Sequence, residues 1–299
     1  MGKTLGRLRR LPEIECFFPK TLSKAFFLLK KHKAAARVIA GGTDLLPKMK
    51  RREVAPKYLI DLRGIPSLNF IKYDRKKGLR IGAATTLSEI LESPVISEHY
   101  PILIDAVSKM ASSQIRNIAT LGGNLCNGAP SADTAPPLIA LTARVKLAGL
   151  RGKRTLLLED FFEGPEKTVM NPFELVTEIQ VPPSHPRESG TYLKHTRRGA
   201  MDLATVGVAV YLALDSKENA CKDIKISLGA VAPTPMRAKK AEDFLIKKRF
   251  DDDLIEHAAE IASQEARPKL TSFRAPPEYK KEMVKVFTKR AIKRSLEKA

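Results

Sequence analysis

No tryptophan occurs in this sequence, cysteine occurs three times, and there are only six tyrosines and twelve phenylalanines. Cys16, Cys126 and Cys221 lie far apart, which rules out a disulfide framework or a four-thiolate cluster within one chain. Each is expected to be a small buried hydrophobe, and a reducing cytoplasm fits. No stretch approaches the roughly 20 apolar residues that a membrane crossing needs. Met1 to Leu11 is basic but lacks the apolar run of a signal peptide, so a short basic tail is expected there. His32, His99, His185, His195 and His257 show no metal-ligand spacing, and neither HExxH nor GxSxG occurs. Chemistry in this chain has to come from a cofactor.

Acidic residues are also scarce: 33 against 53 basic ones, a net charge of +20. Nucleic acid is the first partner such a charge suggests. The lysines and arginines are scattered, however, and no basic run is interleaved with stacking aromatics. No nucleic-acid partner is expected; an acidic protein partner, or solubility alone, accounts for the charge. The remainder is ordinary globular composition, 43% hydrophobic over 299 residues, enough for two or three structural units.

Thr21 to Lys31 places Leu22, Phe26 and Leu29 at helical spacing, with Thr21 or Ser23 available as cap. Arg37 to Ala40 reads as a strand that breaks at Gly41-Gly42, and Thr43-Asp44 can cap a helix beginning at Leu45. With a further strand at Lys57 to Leu62, the first sixty residues form a small βαβ-type unit. Asn69 to Tyr73 and Leu79 to Ala83 read as a hairpin. Helices follow at Ser88 to Leu91 and Ile102 to Ser112, then a polar, glycine-rich connection from Gln114 to Thr134 without periodicity of its own. A connection of that length is usually functional. Val181 to Pro186 is a proline-rich linker. Strands at Thr191 to His195, Leu203 to Leu214 and Ile224 to Val231 then precede helices near 238–247, 252–265 and 278–296, an α+β unit. The last helix is basic and amphipathic and is expected to pack on its own domain rather than on a membrane.

Two segments can hold an anion. In Ile39-Ala40-Gly41-Gly42-Thr43-Asp44, glycines between a strand and a helix permit positive φ and close approach to the backbone. Alone, it reads more readily as a structural turn. In Thr120-Leu121-Gly122-Gly123-Asn124-Leu125-Cys126-Asn127, followed by Pro130-Ser131-Ala132-Asp133, the residues suit a polyhydroxylated, phosphorylated ligand, or else a loop stitched by Asx turns. Two such loops in one chain suit a ligand with two phosphates and a polyol.

These segments resemble the paired FAD motifs of the medium subunits of molybdenum hydroxylases, a group that includes carbon monoxide dehydrogenase flavoproteins and xanthine dehydrogenase FAD domains. Phe161 to Gly164, Glu174 to Ile179 and Lys194 to Ala204 are similar to the family's later blocks, so the likeness runs from about Phe17 to the last helix. The resemblance implies an α+β fold. It consists of a two-subdomain FAD-binding unit of the PCMH type over 12–183, divided near 64, and a C-terminal α+β domain of the CO dehydrogenase flavoprotein type over 187–299. It implies that the backbone from Ala40 to Thr43 (Ala40, Gly41, Gly42, Thr43) and from Gly122 to Asn124 (Gly122, Gly123, Asn124) holds the pyrophosphate, with Val38, Ile39, Asp44, Ala119 and Ser131 among the further cofactor-binding residues. Thr120, Asn127 and Asp133 would bind phosphate, ribityl or adenosine groups, and Val176 and Lys194 would lie beside the isoalloxazine. Met110 stands where some relatives place an aromatic ring. A large molybdopterin-binding subunit, a small [2Fe–2S] subunit and an external electron acceptor are the implied partners in an oxidoreductase complex. The cysteine-containing insertion of the 4-hydroxybenzoyl-CoA reductase β subunit is missing, so no iron–sulfur centre is expected in this chain. A stand-alone flavin oxidoreductase is the alternative function, and a basic nucleic-acid-binding protein a remoter one.

Overall fold

The computed structural model describes residues 11, 13–199, 201–215, 219–272 and 274–299. Residues 1–10 of the expected basic tail, and Ala200 within the Lys194 to Ala204 block, lie outside them. Three short strands, β1 (Glu15–Phe17), β2 (Ala36–Ile39) and β3 (Tyr58–Asp61), pair in parallel in the order β1-β3-β2. Parallel neighbours require crossovers, and α1 (Leu22–His32) and α2 (Leu45–Lys50) supply them. α1 begins where the Thr21 side chain accepts from the Lys24 N–H at 3.2 Å and ends on Lys30, Lys31 and His32, where cations are favoured. Its Ala25, Leu28 and Leu29, one helical face, bury against Ile60 and Leu62. The βαβ-type reading of this region agrees with the structure.

The second unit opens with the hairpin β4 (Ile71–Asp74) and β5 (Gly78–Gly82). Six helices follow: α3 (Leu87–Leu91), α4 (Pro94–His99), α5 (Pro101–Ser108), α6 (Ser113–Arg116), α7 (Leu121–Asn127) and α8 (Ala135–Ala140). After them come β6 (Arg144–Gly149), β7 (Gly152–Leu157), the small pair β8 (Phe162–Gly164) and β9 (Lys167–Thr168), and β10 (Glu174–Val181). The main sheet is antiparallel in the order β4-β5-β10-β6-β7. The stretch expected to be an irregular connection from Gln114 to Thr134 therefore holds helical turns. Glycine costs about 1 kcal/mol per position in a helix, which is why its pair reads as loop. Capping by Thr120, burial of Leu121 and Leu125, and bonds from the Leu121 and Gly122 N–H groups to the Thr85 and Ala83 carbonyls offset that cost. Gly128, at φ 60°, ends the helix. The helix expected over Ile102 to Ser112 stops at Ser108, short of Ala111 with its left-handed φ of 44°.

The third unit is an antiparallel sheet in the order β11 (Glu188–His195), β12 (Val206–Leu214), β13 (Cys221–Gly229), β14 (Met236–Arg237), with α9 (Lys239–Leu245), α10 (Asp252–Glu265) and α11 (Pro277–Lys298). β12 is apolar at nearly every position because both faces are covered. Val206, Val208, Val210 and Leu212 pack with Ala258, Ala262 and Ile292 of α10 and α11. Tyr192 and Ala209, on the opposite face, join the second unit's core. α10 and α11 are laced by Lys285 to Glu256 and Glu260 (2.9 and 2.7 Å), Lys289 to Glu256 (2.6 Å) and Lys293 to Asp252 (2.6 Å). The last helix is thus packed on its own domain. Among the described residues no helix is long and apolar enough to cross a membrane.

Candidate functional site

The loop from Ala40 to Asp44 leaves the carboxyl end of β2 and enters α2. Gly42 sits at φ 71°, a region that a side chain strains. Gly41 lies flat against the neighbouring unit: a Cβ there would be 2.1 Å from the Ile118 carbonyl oxygen. The N–H groups of Ala40, Gly41, Gly42, Thr43 and Asp44 have no acceptor among the described residues. Ala40 to Thr43 are half-buried and Asp44 is exposed, so these five consecutive N–H groups stay open to an anion that approaches the loop. With six residues α2 adds little dipole; the loop donors carry the attraction.

The second glycine pair is arranged differently from the sequence expectation. The Gly122 N–H donates to the Ala83 carbonyl at 2.9 Å and that of Asn124 to the Thr120 carbonyl at 3.0 Å. The Gly123 N–H donates to Thr120 Oγ1 at 3.1 Å. All three are therefore committed within the protein. A Cβ at Gly122 would be 2.6 Å from the Ala83 oxygen, so this glycine lets α7 dock on the chain after β5. At Gly123 a Cβ would meet only Thr120 Oγ1, at 2.9 Å, which leaves the cleft side open. The pair shapes a wall. Asn124 Oδ1 accepts from the Thr134 hydroxyl at 2.6 Å, and Asn127 Oδ1 accepts from Lys48 Nζ at 3.2 Å.

Asp133 also differs from its expected role. Its carboxylate accepts from Tyr192 Oη at 2.7 Å and from Lys194 Nζ at 2.8 Å, and Lys194 donates to the Lys109 carbonyl at 3.1 Å. The Lys194 and Asp133 side chains are 3% and 7% exposed, so this is a buried ion pair. Burial pushes the Asp133 carboxyl up, against the pull of Lys194, and burial next to Asp133 pushes the Tyr192 hydroxyl well above the ordinary phenol range. Asp133 acts on Lys194 before it acts on any ligand.

These segments line one cleft of about 570 Å³, inside the range typical of cofactor sites. Every residue singled out from the sequence lies on its wall, from Val38 to Lys194. One end carries the unpaired loop donors; Leu62, Leu87, Met110 and Val176 supply apolar surface. Leu175 and Val176 of β10 both line the cleft, just before the register shift between Val176 and Glu178. The sequence reading missed Lys48, Cys126, Met170, Glu174, Met201, Asp202 and Leu203, which also line it, and the buried Tyr192 behind it. Lys48 follows Asp44 by four residues, a helical spacing that could have put it beside the loop. Nothing in the sequence reveals Tyr192. Burial pushes the Cys126 thiol up to about 12, and its Sγ lies 3.8 Å from Met170 Sδ. Among the described residues no group of three or more His, Cys, Asp or Glu stands where it could hold a metal ion.

Donors for two phosphates beside an apolar wall in a cleft of this size fit FAD. A profile of the FAD-binding domain in molybdopterin dehydrogenases matches residues 12–184, and one of the CO dehydrogenase flavoprotein C-terminal domain matches 190–295. The chain is 34% identical to the glyceraldehyde dehydrogenase medium chain of Sulfolobus acidocaldarius, over 94% of this chain and 98% of that one. It is 32% identical to a xanthine dehydrogenase FAD-binding subunit of Escherichia coli, over 91% and 92%. A solved carbon monoxide dehydrogenase chain from Hydrogenophaga pseudoflava superposes with a TM-score of 0.91 at 33% identity, covering 96% of this chain and 98% of that one. The chain belongs to the family of FAD-binding medium subunits of molybdenum hydroxylases.

Proposed function

We propose that this chain carries FAD between a small [2Fe–2S] subunit and an external electron acceptor, in a cytoplasmic complex whose large subunit holds the molybdopterin cofactor. The run of five unpaired N–H groups from Ala40 to Asp44 supports this reading most directly, because a dinucleotide's pyrophosphate supplies the acceptors those donors lack. Bound FAD supplies redox chemistry that no side chain here could supply. Gly41 and Gly42 hold the donor loop in place, Thr43 adds a hydroxyl, and Thr120 and Asn127 lie across the cleft from them. Met110 and Val176 give the flavin ring apolar surface that excludes water. Lys194, restrained by Asp133, sets the electrostatics of that end.

In this reading the two glycine-rich segments divide the work. The first donates hydrogen bonds, and the second forms the opposing wall. Domain limits of 12–183 and 187–299 belong to the same reading. Co-purification of the tagged chain tests it: molybdenum and [2Fe–2S] iron should accompany the chain in fixed ratio to FAD. A chain that elutes with flavin but without either metal in every preparation would support a flavoprotein acting alone instead.

A further inference from the structure

Two lysines line the cleft, and they are held in different ways. Lys194 is fixed by a buried carboxylate. Lys48 Nζ reaches from α2 across to the second unit, 3.0 Å from Glu166 Oε1 and 3.2 Å from Asn127 Oδ1. Glu166 sits in the turn between β8 and β9 at φ 58°, and its N–H donates to the Gly128 carbonyl at 2.9 Å, so its backbone is tied to the end of α7. Its side chain is 58% exposed. An ion pair this open to water is weak and readily exchanged. The Lys48 N–H donates to the Asp44 carbonyl at 3.3 Å, which places Lys48 one helical turn beyond the unpaired loop donors. The Asp44 and Glu53 carboxylates are also near it.

We propose that Lys48 is a counter-ion for the pyrophosphate of FAD, held across the cleft by Glu166 and Asn127 until the dinucleotide displaces those partners. The proposal rests on the FAD reading of the cleft and deepens it. The loop N–H groups offer direction but only partial charge, whereas a pyrophosphate carries two negative charges. Of the two lining ammonium groups, only Lys48 can exchange its partner without leaving a buried carboxylate unpaired. Glu166, on the solvent side, loses little when released. Lys48 therefore favours a dinucleotide over riboflavin, which has the ring and the polyol but no phosphate. Asn127, freed of Lys48, can turn its amide to the ligand.

The test is affinity of the flavin-free full-length chain for FAD, ADP and riboflavin, by calorimetry, in wild type, Lys48→Met, Lys48→Arg and Glu166→Gln. Lys48→Met should weaken FAD and ADP by about tenfold, as loss of one charge-assisted contact does, and leave riboflavin within about twofold. Lys48→Arg should retain most of the FAD affinity. Glu166→Gln should tighten FAD and ADP about twofold to fivefold, by removing the competing partner. Raised salt should narrow the gap between wild type and Lys48→Met. Unchanged FAD affinity in Lys48→Met, or FAD and riboflavin weakened in equal proportion, would overturn the proposal and leave a structural latch. A wild-type chain that binds no FAD would overturn the flavin reading itself, a distinguishable outcome.

Discussion

At Gly41 a single methyl group would stand 2.1 Å from the Ile118 carbonyl oxygen. Relieving that distance moves the donor loop and the Ile118–Ala119 backbone apart, so the two walls of the cleft part. Gly41→Ala is expected to abolish FAD binding in an equilibrium titration, whereas Gly123→Ala, opposed only by its cap hydroxyl at 2.9 Å, keeps measurable affinity. Equal affinities in the two variants would show that loop placement is not what holds the cofactor. The Asp133–Lys194 pair makes a second prediction at this scale. Lys194→Met leaves Asp133 buried with only the Tyr192 hydroxyl and should cost about 3–5 kcal/mol in urea unfolding. Adding Asp133→Asn should recover much of that loss, because the pair is then removed together. In the proposed site, Lys194 beside a buried carboxylate favours a negative flavin ring less than an unpaired lysine would.

Among the elements, periodicity made α1, α10 and α11 legible, and alternation revealed the β4–β5 hairpin. β12 was legible because a strand covered on both sides is written as a continuous apolar run. α7 was not, because its helical state comes from docking onto Ala83 and Thr85, partners nearly forty residues away in sequence. For the same reason the membership of the cleft wall could be read from its motifs but its internal bonds could not. The Gly122 N–H bond to the Ala83 carbonyl, the Lys48–Glu166 contact and the bonds of Tyr192 and Lys194 to Asp133 all join distant segments. The ladder between α10 and α11 carries a pH prediction. Hydrogen bonds from Lys289 and Lys285 hold the Glu256 carboxyl down at about 2, below its ordinary 4.5. A lowered carboxylate stabilises the fold above its unfolded-state value and ceases to do so as pH falls from about 4.5 toward 2. Arg154 holds Glu174, on the cleft wall, down at about 2 in the same way. Glu256→Gln should flatten the fall of Tm across that window relative to wild type; an identical acid limb would assign the loss to other groups.

For the whole molecule, the three larger sheets with their helices meet so that β2, α7, β10 and β11 all contribute to one cleft, and no single unit contains the site. The surplus of 53 basic over 33 acidic residues adds a positive field that favours anionic ligands and fades with salt. The central claim is that this cleft holds one FAD, gripped by the loop from Ala40 to Asp44. Titration of the flavin-free chain with FAD, followed by quenching of flavin fluorescence and the yellow absorption of the isolated complex, tests it most directly. The account predicts one FAD per chain in wild type and none retained in Gly41→Ala. A wild-type chain that stays colourless after incubation with FAD and desalting would contradict it.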